Sequence, residues 1–221
     1  LGDVYKRQAQ FLMLFALEAA YALQIISENK YLSVIKELEE VPERHKKVQE
    51  ETWEFYKKNQ DYLTAMTVSY TCGFMQGYGV ATEGALKIGE TIQIPSFAYE
   101  AEEFIHGPNL QLTPNYTLFF IDDCDMGSER LAQIYQASRS VSKRVFAITN
   151  NPVVDDDHAV RLPFEMVEPA LLPLYTLPFF QIIAHQATTD LNKWEKHPMF
   201  AHFKDYAESK TETIKKVMPN L

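Results

Sequence analysis

Three regimes of hydrophobic patterning divide the chain. Over residues 9–27, Leu12, Phe15, Ala16, Ala19, Ala20 and Leu23 fall at helical spacing and predict a strongly apolar helix. Residues 31–59 are charged and amphipathic. Pro42 lacks a backbone N–H and should split this stretch into two helices, which read together as a solvated connector. From Leu63 the pattern changes to short apolar runs alternating with helical ones. Residues 65–72 form a β-branched and aromatic run and predict a first strand. A helix then runs to about Thr91. Residues 117–122 and 144–149 are continuous apolar runs, as parallel strands buried on both faces require, and residues 159–163 are a shorter one. Residues 128–142 should be helical, with Ser128 as N-cap and Leu131, Ile134, Tyr135 and Ser138 inward. Residues 169–188 predict a long apolar helix that Pro173 and Pro178 start or kink. The polar, Lys-rich stretch from Asn192 reads as a tail or helix packed on a partner. Strand alternating with helix implies an α/β fold of three layers, a parallel sheet between helices.

Composition narrows the partners. The 221 residues suffice for one or two domains with a proper core. A net charge of −9 argues against nucleic acid or an anionic membrane as partner. A phosphorylated substrate stays possible, because helix N-termini bind phosphate without net positive charge. Cys72 and Cys124 lack paired spacing and read as buried thiols of a reducing, cytoplasmic compartment. No run reaches the ~18 apolar residues of a membrane span; residues 9–26 come closest but contain Gln10, Glu18 and Gln24. Residues 1–8 lack an initiator Met and read like a translated adaptor scar. Residue 9 starts inside a helical pattern, so a missing upstream portion is expected.

Candidate chemistry concentrates in one helix and the turn after it. Glu83, Lys87 and Glu90 are spaced i, i+4, i+7 and share one helical stripe beside apolar Ala85, Leu86 and Ile88. His106 follows on a Gly-Pro turn. A Glu and a His converging on one pocket can move protons at neutral pH. The bland readings are an i, i+4 ion pair for Glu83 and Lys87, a surface charge for Glu90, and a backbone-bonded turn residue for His106. Gly73, Gly77 and Gly79 sit where an α/β sheet collects ligands, but Gly77-x-Gly79 lacks a third glycine, so no dinucleotide site is expected. His158, His185, His197 and His202 show no metal-ligand spacing.

The segments Ala81-Thr82-Glu83-Gly84-Ala85-Leu86-Lys87-Ile88-Gly89-Glu90 and Glu103-Phe104-Ile105-His106-Gly107-Pro108 resemble the sugar isomerase (SIS) family, which includes the isomerase half of glucosamine-6-phosphate synthase. The resemblance covers about residues 60–195. The Glu-Glu-Phe-Ile-His-Gly-Pro variant looks most like the Amadori sugar-phosphate deglycases. The resemblance implies a flavodoxin-like SIS domain over residues 60–190. Before it would stand the last helix of a truncated first SIS domain (9–30) and a helical connector (31–59), and after it a tail (191–221). It further implies that Glu90 relays a proton at C1/C2 of an open-chain sugar. His106, arriving from a neighbouring subunit, would assist ring opening, so an obligatory dimer is expected. Gly73, Glu83 and Lys87 would contact substrate. No cofactor is implied, because the carbonyl is its own electron sink. The phosphate pocket of relatives is a Ser/Thr-rich loop in the first SIS domain.

The chain departs from the family in two places. Met75 stands where the synthase has a second glycine. The synthase's tail motif, whose lysine forms a Schiff base, is not preserved; Lys193, Lys196 and Lys204 are candidates out of register and read as solvated. Three functions follow in order: cleavage of a 6-phosphorylated fructosyl- or glucosyl-amine to glucose 6-phosphate and free amine, the isomerase half of an aminotransferring synthase, and a non-catalytic sugar-phosphate sensor.

Overall fold

The computed structural model describes residues 2–207. Five parallel strands are ordered β2-β1-β3-β4-β5, the flavodoxin-like order with its switch point between β1 and β3. Here β1 is Ser69–Gly73, β2 Ser96–Glu100, β3 Thr117–Ile121, β4 Val145–Ile148 and β5 Ala159–Val160. Strand side chains alternate between two cores. Phe119 and Ile121 of β3 face helices α2 (Glu28–Thr64), α3 (Met75–Ile92) and α6 (Leu172–Asp190). Leu118 and Phe120 face α4 (Ala101–Ile105) and α5 (Ser128–Arg139). This is the three-layer arrangement the strand-helix alternation predicts.

Several expectations need correction. Pro42 does not break the charged block: α2 is one helix of 37 residues with Pro42 inside it. Arg44 reaches back across the proline to Glu37 and Glu40, at 2.8 and 2.7 Å, and ties the two halves. Nor is α2 a solvated connector, because Val34, Leu38, Val48, Phe55 and Leu63 are buried in the same core as α6. The first helix, α1, runs Gly2–Ala22. Its Leu12 and Phe15 are exposed, and Leu12 and Ala16 line an open apolar cleft of about 430 Å³ against Val34 and Leu38. Strand β2 has no apolar run to announce it. Ser128 does not cap α5: Gly127 holds that position, while the Ser128 hydroxyl donates to Asp122 Oδ2 at 2.8 Å. Leu86 is exposed, so the motif helix buries a narrower face than its apolar content suggested. Cys72 is buried as expected, but Cys124 is exposed.

Helices α3 and α6 touch closely at Gly84, where an added Cβ would stand 2.6 Å from ring carbons of the fully buried Phe180. Alanine there gains helix propensity of about 0.5–1 kcal/mol. Overpacking against an immobile ring costs about 1–3 kcal/mol, so Gly84→Ala is expected to destabilise on balance. Urea unfolding of the two proteins checks the sign.

Candidate active site

Gly73, the residue expected to approach substrate, has a packing role. A Cβ on it would come within 2.4 Å of the Gly77 carbonyl carbon, so its bareness lets α3 start directly above β1. The crevice at the switch point is also unsuited to an anion. Phe74 packs over Gly127, and the β3 loop carries Asp122, Asp123 and Asp125. Burial holds the Asp123 carboxyl above the usual range, and the charges of Asp122 and Asp125 add to that. A phosphate in this crevice would meet like charge.

Glu83, Lys87 and Glu90 do line one face of α3. The Lys87 ammonium lies 3.4 Å from Glu83 Oε1 and 3.0 Å from Glu90 Oε2. Partial burial works against its charge, but the hydrogen bond it donates to Glu90 and the charge of Glu83 prevail, and its pKa is raised. Lys87 is therefore a fixed cation between two carboxylates. The Glu90 side chain is 53% exposed within one chain.

Glu90 and His106 do not converge within one chain. Glu90 lies about 22 Å along the α3 axis from its start at Met75, at the end where the strands begin. His106 caps α4, which leaves the opposite end of β2 and packs on the other face of the sheet. There the Glu100 side chain accepts the backbone N–H groups of Glu102 and Glu103, at 2.8 and 3.1 Å, and starts α4. The Glu103 carbonyl accepts the His106 N–H at 3.2 Å. The Arg130 guanidinium grips Glu102 at 2.6 Å and holds its carboxyl below the usual range. His106 is thus mounted on a braced, exposed corner.

Around Glu90 the chain supplies groups that sequence reasoning did not place there. A cavity of about 560 Å³ is lined by Glu90, Gln93, Lys196, His197 and Phe200. That volume suits a small metabolite. The segment after α6 is held over the end of α3 by two clasps. Lys193 Nζ donates to the Ile92 carbonyl at 2.9 Å, occupying an orphan acceptor of the helix C-terminus. Gln93 Nε2 donates to the Glu195 carbonyl at 2.8 Å and to that of Lys193 at 3.3 Å. So Lys193 is a helix cap, neither a solvated tail lysine nor a group of the cavity. Lys196 lies in the cavity, its ammonium 4.4 Å from the centre of the Phe200 ring. Lys204 lies on helix α7, Phe200–Tyr206, and its side chain is outside the described residues. Nothing in the local sequence marks His197, because its placement depends on contacts with residues a hundred positions earlier.

Among the described residues no cluster of three or more His, Cys, Asp or Glu side chains could hold a metal ion, and no helix is long and apolar enough to cross a membrane.

The five-stranded parallel sheet in 2-1-3-4-5 order with helices on both faces matches the α/β fold of SIS domains. No protein-family model matches the chain. A curated relative, the glutamine–fructose-6-phosphate aminotransferase (isomerizing) of Bacteroides thetaiotaomicron, is 28% identical over 182 residues, covering 80% of this chain and 29% of its own length. A crystal structure from Clostridium difficile 630, provisionally assigned as a phosphosugar isomerase, superposes with a TM-score of 0.75 at 26% identity, over 90% of this chain and 56% of that one. The C-terminal domain of the glucosamine–fructose-6-phosphate aminotransferase of Francisella tularensis gives a TM-score of 0.74 at 18% identity, over 86% of this chain and 55% of its own, and supports the fold. The chain falls in the SIS phosphosugar isomerase superfamily and is related to the isomerase domain of the aminotransferase. It spans less than a third of the length of that curated relative.

Proposed function

We propose that the protein moves a proton between C1 and C2 of an open-chain 6-phosphorylated sugar, with the Glu90 carboxylate as carrier. The carrying observation is the cavity that Glu90 lines together with Lys196 and His197. The finer reading is cleavage of a 6-phosphorylated Amadori product. Glu90 takes a proton from C1, the C1–H electron pair becomes the C1=C2 bond, and the C2=O π pair moves onto the oxygen, which takes a proton from solvent to give an enaminol. Return of the C1 proton to C2 draws the nitrogen lone pair into a C1=N bond, and the N–H proton passes to solvent to leave the imine. Water adds to C1, the amine departs, and glucose 6-phosphate is left. The Glu-Glu-Phe-Ile-His-Gly-Pro variant at residues 102–108 supports this branch.

His106 would serve a copy of Glu90 in a second subunit, because its own chain holds the two groups apart. Dimerisation then completes the site.

A second reading, the isomerase part of an aminotransferring synthase, draws on the aminotransferase relative and on a tail lysine beside Glu90. One assay separates them. Glucose 6-phosphate released from 6-phosphofructosyl-lysine or 6-phosphoglucosyl-lysine is the expected result. No release, with glucosamine 6-phosphate formed from fructose 6-phosphate and ammonia, transfers the case to the isomerase. Binding without turnover of either favours a sensor.

A further inference from the structure

We propose that His197 donates a hydrogen bond from its Nε2–H to the C2 oxygen of the sugar held against Glu90; this role rests on the sugar-phosphate reading above. Three observations lead to it. First, His197 and Glu90 line the same cavity although 107 residues separate them in the chain. Second, the ring's protonation is directed from outside the cavity. The backbone N–H of Met199 donates to His197 Nδ1 at 3.2 Å. A nitrogen that accepts carries no proton, so the neutral ring holds its hydrogen on Nε2 and offers a donor. Third, the ring's position is built rather than incidental. Lys193 and Gln93 fasten the preceding residues to the end of Glu90's own helix. Gln93 does so from a left-handed backbone, φ 60° and ψ 48°, which side-chain-bearing residues rarely adopt. Pro198 steers His197 away from helical backbone, so the ring stands at a break between the clasped segment and α7.

The chemistry requires such a donor. As Glu90 removes the C1 proton, the C2=O π electrons move onto the oxygen, and that oxygen gains charge. A neutral imidazole N–H stabilises it without surrendering its proton. Lys196, held as a cation on Phe200, adds positive potential next to it. His106 is placed differently, since it must come from another subunit; His197 belongs to the same chain as Glu90.

The test combines spectroscopy and kinetics on the whole protein. At a pH where the ring is neutral, side-chain ¹⁵N shifts should show its proton on Nε2 before ligand is added; the Nδ1–H form would overturn the assignment. Glucitol 6-phosphate, an open-chain probe, should shift the His197 Nε2 resonance. Movement of the Gln93 amide without His197 also overturns it. His197→Ala should lower kcat by about 10²–10³-fold, the usual loss of one oxyanion donor, with KM and melting temperature little changed. His197→Gln, which keeps an N–H donor, should recover most of that loss; equal loss in both variants argues for a structural role. A parent that neither binds the probe nor turns over either sugar phosphate defeats the sugar-phosphate reading and this role with it. A parent that does both, while His197→Ala keeps its kcat, defeats only the role of His197.

Discussion

Glu90→Gln is expected to reduce turnover of the open-chain sugar phosphate by about 10²–10⁴-fold, the range for loss of a general acid–base group. The Glu90 carboxylate is held by an ion pair with Lys87 at 3.0 Å, and its side chain faces the cavity and solvent. Gln has the same shape and can still accept from Lys87, which keeps Glu83 at 3.4 Å. Exposed ion pairs contribute about 0–1 kcal/mol, so thermal unfolding should move little. KM should also stay close to the parent value, because a carboxylate relaying a proton acts in the transition state. A separation of kcat from both KM and stability is the signature sought. Retention of more than about a tenth of the parent kcat would place the proton carrier elsewhere, given that such a group supplies at least about 10²-fold.

The legible parts of this chain were those whose local pattern and tertiary environment agree. Residues 117–121 and 145–148 are apolar throughout because they lie in the middle of a parallel sheet, with a core on each face. The motif helix was legible for the same reason: its polar stripe and its small residues alternate as one packed face demands. Strand β2 was missed because it is an edge. Its residues are half-buried, so Ser96, Tyr99 and Glu100 carry no apolar run. Pro42 misled because local rules price the lost N–H and not the packing that outweighs it. The grouping of Lys196 and His197 with Glu90 could not be read from spacing, because it is set by Gln93 and Lys193 acting across a hundred residues. Gly73 shows the converse. Its place in a family pattern suggested ligand contact, while its immediate surroundings require a glycine for packing.

Glu37 carries the largest expected effect on stability. Its side chain is buried, with the residue 2% exposed, and it serves four donors. Oε2 accepts the backbone N–H groups of Val167 and Glu168 at 3.0 and 2.9 Å. Oε1 accepts from the Arg44 guanidinium at 2.8 Å and from the Tyr175 hydroxyl at 3.4 Å. Arg44 in turn stacks on the Phe164 ring, 4.8 Å from its centre, and donates to the Glu165 carbonyl at 3.2 Å. One carboxylate thus joins the proline-containing helix to the loop that leads into α6. Glu37→Ala removes the acceptor of two backbone donors and leaves a largely buried guanidinium without this anion. Removing one partner of a buried pair costs about 3–5 kcal/mol. A domain holding roughly 5–15 kcal/mol in all would lose a large share of its stability. Glu37→Gln should cost less than Ala, because one oxygen still accepts, but its amide hydrogens then oppose either Arg44 or the backbone donors. The site lies near the start of α2, at the end of the sheet opposite Glu90, so the fraction that stays folded should keep the parent kcat. Denaturant unfolding beside active-site titration measures both quantities. A loss below about 1 kcal/mol for Glu37→Ala, within the range of a surface pair, would show that this network is not what fastens α2 to the loop before α6.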